Sequence, residues 1–395
     1  MKVDTHVKAC VERLLLRGGL FSGFSPHPET LLMRPVSAGA SFPVPPEEDA
    51  LRYSPTWESD DEYTDFAYSD LYMNGHFTDY NNGVLRSETN NEHEEMPAMV
   101  CDIETGKIIE DPENDQDGTL NPGTPKGEYT VSEYNEVLVN LMNQLFHDIL
   151  TDDNRKILYY KLPENKHYKA YIEQVKNLRA VKVSEAPPQE RLAFFMNVFN
   201  MLSVHTTQIN GAPRNIWERR KLMNCSYYQI ENHKYAPHSI LNGILRSNRK
   251  GLAALWKPFG KKDQRLPLIL PHCEPLIHFA LNTGTRSTPP IRAYTCKSVY
   301  DELRDNACKA LKSNHFLRFD TKNRVIYLGK VFKWYEIDFG RSTEMVLEYL
   351  LDLMSRTNSK KKRMLEDWLC DGNVEVDYMT HDWMFNGQMS EIELK

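Results

Sequence analysis

A chain of 395 residues with 41% hydrophobic and 11% aromatic content has material for one large or two moderate globular units. Its net charge of −7 is unevenly spread: between Glu58 and Asp117 eighteen carboxylates face only Arg86 and Lys107, a local −16 that leaves about +9 on the rest. No run of about 18 apolar residues occurs, which excludes a helical membrane span, and a negative total weighs against a protein built mainly to bind nucleic acid. Seven scattered cysteines (Cys10, Cys101, Cys225, Cys273, Cys296, Cys308, Cys370) form no CxxC pair and no His/Cys group at zinc spacing. They predict a reducing compartment, no disulfide framework and no metal site. Leu14–Leu16 is followed at once by Arg17 and two glycines, too short and broken for a signal-peptide core, so the expected location is cytoplasmic.

In chain order, Val7, Val11, Leu14 and Leu15 predict a short amphipathic helix within residues 4–17. From Gly18 to about Gly127 the composition is Pro, Ser, Asn, Gly and acids without a sustained period, and disorder is expected through residue 128. Aromatics alternate with the acids there (Trp57, Tyr63, Phe66, Tyr68, Tyr72, Phe77, Tyr80), a composition that suits a segment docking on a protein partner.

Order is expected from Tyr129. Val137, Leu138, Leu141, Leu145 and Ile149 predict a helix, with Thr130 or Ser132 as N-cap and Glu133 or Glu136 in its first turn. A second helical pattern runs over His167–Val181, and Pro187-Pro188 ends it. Arg191–His205, RLAFFMNVFNMLSVH, then has apolar side chains all around a helix, the mark of a buried one. Asn197 and Asn200 share one face of it and must meet hydrogen-bond partners from another element.

Ser226–Ala236 alternates like a hairpin around Glu231-Asn232, and His238–Arg246 reads as a short helix. The loop 246–265 carries Arg246, Arg249, Lys250, Lys257, Lys261, Lys262 and Arg265 against Asp263 alone, a solvated basic loop that the acidic segment is proposed to cover. Pro275–Thr283 reads as an interior strand with His278 and Asn282 on one face. A helix over Val299–Leu311, a strand over Arg324–Leu328, a segment ending at Asp338 and a helix over Glu344–Met354 follow. Lys360–Arg363 reads either as a nuclear address or as a charged helix start, and Asn373–Asn386 closes the ordered region.

Five stretches in this order, FFMNVFNMLSVH, SILNGILR, PLIHFALNTGTRSTPPIRAYT, YLGKVFKWYEIDF and HDWMFN, resemble the family named domain of unknown function 547, over roughly residues 129–386. The resemblance implies no agreed reaction. It implies a polar signature of Asn197, Asn200, His205, Arg246, His278, Asn282, Asp338, Asp382 and Asn386. It also implies cysteines where Thr283 and Thr288 stand, an acid where Leu241 stands and an Arg where Leu276 stands.

The fold class expected is α+β: a predominantly helical single domain over 129–386 with a few short strands around the buried helix, a disordered acidic region before it and a tail over 387–395. No cofactor is implied. The function expected is a non-catalytic binding or scaffolding module, its Asn, His and Asp residues forming a buried network in which Asp338 neutralises Arg246. The alternative is a thiol hydrolase or acyl-transferase-like enzyme with His278 as base and Asp338 or Asn200 orienting it, degenerate here because Thr283 and Thr288 replace the nucleophile.

Overall fold

A computed structural model describes residues 118–390 except 253, 358 and 373. The expected helix within 4–17 and the acidic, aromatic segment lie outside these residues. Described structure begins ahead of Tyr129: Thr119 bridges Tyr227, and the buried amide of Asn121 donates to the Gln229 carbonyl and accepts from its N–H, both at 2.8 Å.

A two-residue strand, β1 (Tyr129–Thr130), runs into α1 (Val131–Ile149). Thr130 is the cap: its hydroxyl accepts from the Glu133 N–H while the Glu133 carboxylate accepts from the Thr130 N–H, a reciprocal capping box. After β2 (Ile157–Leu158) come α2 (Lys166–Gln174), a 3₁₀ turn over Val175–Ala180 and β3 (Val181–Lys182), which pairs in parallel with β1.

The central α3 (Pro188–Asn210) starts on Pro188, whose missing N–H costs nothing in a first turn, and stops at Gly211, where φ is +83°. Its side chains are buried on every face from Arg191 to Leu202, and α1 packs along it. Then come α4 (Ile216–Asn224) and the hairpin of β4 (Tyr228–Ile230) with β5 (His233–Tyr235), turning at Glu231-Asn232 as its alternation predicts.

Ser239–Leu245, expected as an ordinary short helix, is a π-helical turn. The N–H of Arg246 reaches the Leu241 carbonyl and that of Asn248 the Gly243 carbonyl, five residues back. A Cβ on Gly243 would lie 2.4 Å from the Phe259 ring, so this glycine lets the widened turn seat against Phe259. The predicted strand over Pro275–Thr283 is instead a 3₁₀ turn over Pro275–Phe279 followed by irregular chain. Pro275 has no N–H for a ladder, and the Glu274 carboxylate caps the turn by accepting from the Leu276 N–H.

The remainder comprises α5 (Val299–Lys312), β6 (Leu317–Asp320), β7 (Val325–Leu328), α6 (Val331–Trp334), α7 (Glu336–Phe339), α8 (Thr343–Leu353), α9 (Lys360–Asp371), β8 (Glu375–Tyr378) and β9 (Gly387–Gln388). Strands β6, β7 and β8 make one small sheet, antiparallel then parallel, while β9 pairs in parallel with β2 and carries regular structure past Asn386. The basic cluster Lys360–Arg363 is the first turn of α9, and the Lys361 ammonium donates to the carbonyls of Leu311, Ser313 and Leu317.

One connected apolar core joins the helices and the three-stranded sheet, and the strands are short and dispersed, so the class is α+β with helix dominant. No helix among the described residues is long and apolar enough to cross a membrane.

Candidate functional site

The 3₁₀ turn at 275–279 sets His278 inside the protein, where its Nε2 lies 2.8 Å from Asp338 Oδ2. Asp338, on α7, is also met by Arg246 through Nε (2.5 Å) and Nη2 (3.1 Å), and by Arg249 Nη1 at 2.5 Å. The π-helical turn is what carries Arg246 here. Its Nη1 spends its bonds on the side-chain oxygen of Asn242 and the carbonyl of Lys250. Tyr335 completes the cluster, stacking on the imidazole at 4.2 Å between centroids and lying under the Arg246 guanidinium at 4.5 Å.

Burial opposes charge on Asp338, but the bonds from His278 and Arg246 outweigh it and hold the carboxyl well below the usual carboxylate range. Burial pushes the His278 pKa down, against the pull of Asp338. Together these directions describe an ionised carboxylate and a neutral imidazole, with the Nε2–H donating to Asp338.

The asparagines of α3 do different work. Asn200 Nδ2 donates to the Ala280 carbonyl (3.0 Å) and its Oδ1 accepts from the Asn282 N–H (2.8 Å), so it grips the backbone that follows His278 and does not touch the imidazole. Asn197 grips Tyr294 in the same way, donating to its carbonyl at 2.7 Å and accepting from its N–H at 2.9 Å. Asn282 accepts from the Gly284 N–H and from Asn386 Nδ2, each at 3.0 Å. His205 stands apart, with Nδ1 2.8 Å from the Tyr228 hydroxyl, which in turn lies 2.7 Å from that of Tyr171. Asp382 is exposed, and its Oδ1 accepts from the Met384 N–H. The signature residues therefore occupy separate networks, of which two join three of them each: His278–Asp338–Arg246 and Asn200–Asn282–Asn386.

His278 is on the wall of a cavity of about 210 Å³. Thr283, Thr285 and Thr288 share that wall, with Thr283 and Thr288 hydroxyls 3.3 Å apart. No cysteine lines it among the described residues. Burial raises the Cys273 and Cys308 thiols and pushes Cys296 up to about 11. Leu241, which stands where the resemblance implies an acid, also faces the cavity, whereas Leu276 is buried in the core.

Several cavity residues carried no individual sequence signal. His381, beside Asp382 in the HDWMFN block, has its Nε2 3.1 Å from the Thr285 hydroxyl and its ring against Trp334 (4.8 Å) and Trp383 (4.4 Å). Burial lowers its pKa to about 3. Arg219 sits in the basic stretch after Gly211, which gave no hint of its position.

Residues 183–309 match the family model described as "Protein of unknown function, DUF547". No curated protein and no solved structure matches the chain.

Proposed function

From a chain whose residues 183–309 make up a DUF547 segment, we propose a non-catalytic binding module whose ligand occupies the cavity beside His278. One observation carries this reading: the cavity offers threonine hydroxyls where covalent chemistry would want a thiol. A hydroxyl needs a capable base, and the imidazole in contact with one, His381, has a pKa of about 3, far below working pH. The Asp338 network is then a structural floor, and the asparagines fix the loops that form the walls.

The alternative, a thiol hydrolase or acyl transferase, draws support from the His278–Asp338 pair at the cavity edge, an imidazole held by a carboxylate as in nucleophilic sites. It is the weaker reading because burial raises the thiols of Cys273, Cys296 and Cys308, opposite to what a nucleophile needs.

Alkylation of the intact protein with iodoacetamide, mapped by mass spectrometry between pH 6 and 9, tests this. Every cysteine should label slowly at pH 6 and faster as pH rises. A single cysteine that reacts fast at pH 6, and loses that reactivity in His278→Ala, removes the non-catalytic reading.

A further inference from the structure

The cavity beside His278 carries positive charge that its own walls do not cancel. Arg219 and Arg220, consecutive on α4, both line it, and no Asp or Glu does among the described residues. The polar partners of Arg219 are carbonyls: Nη1 donates to Thr283 (3.1 Å) and Gly284 (3.3 Å), and Nη2 to Trp383 (3.0 Å). Burial lowers its pKa only to about 10, so it remains a cation at neutral pH. Arg220 lies over the Trp217 ring at 5.3 Å, and neither arginine is ion-paired among the described residues.

The three imidazoles on the wall, His278, His315 and His381, add no charge of their own, since burial lowers the pKa of each and favours the neutral ring. A further donor waits there: the buried Nε1–H of Trp334, another wall residue, has no acceptor among the described residues. The remaining wall is largely aliphatic and aromatic, with Leu241, Leu281, Phe316 and Trp383. Two guanidinium groups in a partly enclosed, low-dielectric space favour an anion more strongly than the same charges on open surface. Apolar walls favour a ligand with an apolar body.

We infer that this cavity binds an anionic amphiphile, a carboxylate on a short aliphatic or aryl body, with the charge beside Arg219 and Arg220 and the body against Leu241, Leu281, Phe316 and Trp334. The inference rests on the binding-module reading and adds the ligand's class. Leu241 contributes twice, as apolar wall and as a position without the carboxylate that would neutralise the arginines.

Calorimetric titration of the full-length protein at pH 7.5 and low salt, with octanoate, 1-octanol and octylamine, tests it. Octanoate should bind at least tenfold more tightly than octanol, and octylamine should give no binding. Arg220→Gln, a partly exposed position whose loss leaves no buried group unpaired, should weaken octanoate at least threefold and leave octanol unchanged. Leu241→Glu should abolish octanoate binding. Equal affinity for octanoate and octanol, no octanoate binding at millimolar concentration, or an Arg220→Gln variant with unaltered octanoate affinity each overturns the inference. Equal affinities would leave the binding module standing. His278-dependent hydrolysis of p-nitrophenyl octanoate, with octanoate still bound preferentially, would remove the non-catalytic reading and keep the charge assignment.

Discussion

Asp338 serves two guanidinium groups and an imidazole with a single carboxylate whose side chain is wholly inaccessible to solvent. Removing its charge leaves Arg246 buried without a counter-ion, the costly way to break such a group. Asp338→Asn should therefore lower stability by about 3–5 kcal/mol in urea titrations. Arg249→Gln, at a half-exposed side chain, should cost no more than about 1 kcal/mol. An Asp338→Asn loss as small as the Arg249→Gln loss would show that the cluster is not what holds this part of the fold. Arg246, His278 and Asp338 enter together through the family resemblance, and of the three only His278 is legible from its own surroundings, as an imidazole within an apolar run. Arg249 and Tyr335 were not singled out: one is a basic residue among several in its loop, the other a tyrosine whose ring finds its use only once the chain has turned.

At the level of elements, asparagine side chains stand in for missing strands. Asn121, Asn197 and Asn248 each bind both the N–H and the C=O of one residue, Gln229, Tyr294 and Phe259 respectively, the pattern by which one β-strand reads its neighbour. This is how the connection 280–298 runs through the interior without a sheet to satisfy its backbone, and how the largely exposed loop 246–265 is pinned to the core at Phe259. It also explains the error at 275–283. An apolar run signals burial, and burial of irregular backbone is indistinguishable from a strand until the amide that satisfies it is known. The face shared by Asn197 and Asn200 was legible, as was their need for partners; the identity of those partners, 62 to 97 residues away, was not. Asn197→Leu orphans the Tyr294 N–H and the side-chain oxygen of Asn135, while the Tyr294 carbonyl keeps the Asn135 amide, at about 1–3 kcal/mol for each group left unpaired. It should lower stability by about 2–5 kcal/mol by urea denaturation. Asn197→Gln should fail to restore it, since an added methylene displaces the amide from its register. A fully stable Asn197→Leu protein would contradict this account.

For the molecule as a whole, neutral buried histidines make acid the weak side of the stability curve. Burial lowers His205 and His238 to about 4 and His381 to about 3, and lowers His278 as well. A histidine whose folded pKa lies below its unfolded value near 6.5 gives up stability as pH falls through that range, because the unfolded chain takes the proton first. Each contributes about 1.4 kcal/mol per pH unit in that window. The depressed carboxyl of Asp338 acts in the same direction but only below about pH 4, where the unfolded aspartate begins to protonate. Melting temperature should hold steady from pH 8 to 7 and drop steeply between 6.5 and 4.5; a flat profile down to 4.5 would show that these imidazoles are not held neutral. The helical class and buried α3 could be read from periodicity alone, whereas the cavity could not, since its wall collects side chains from segments spread over residues 216–383. The same assembly bears on the basic cluster at Lys360–Arg363. An import receptor that grips an outstretched basic peptide would first have to unwind the opening turn of α9. Doing so would strip three carbonyls around the end of α5 and the start of β6 of the ammonium group they share. In the intact protein Lys361 acts as a rivet, and any address the four residues spell is legible only after the rivet is drawn.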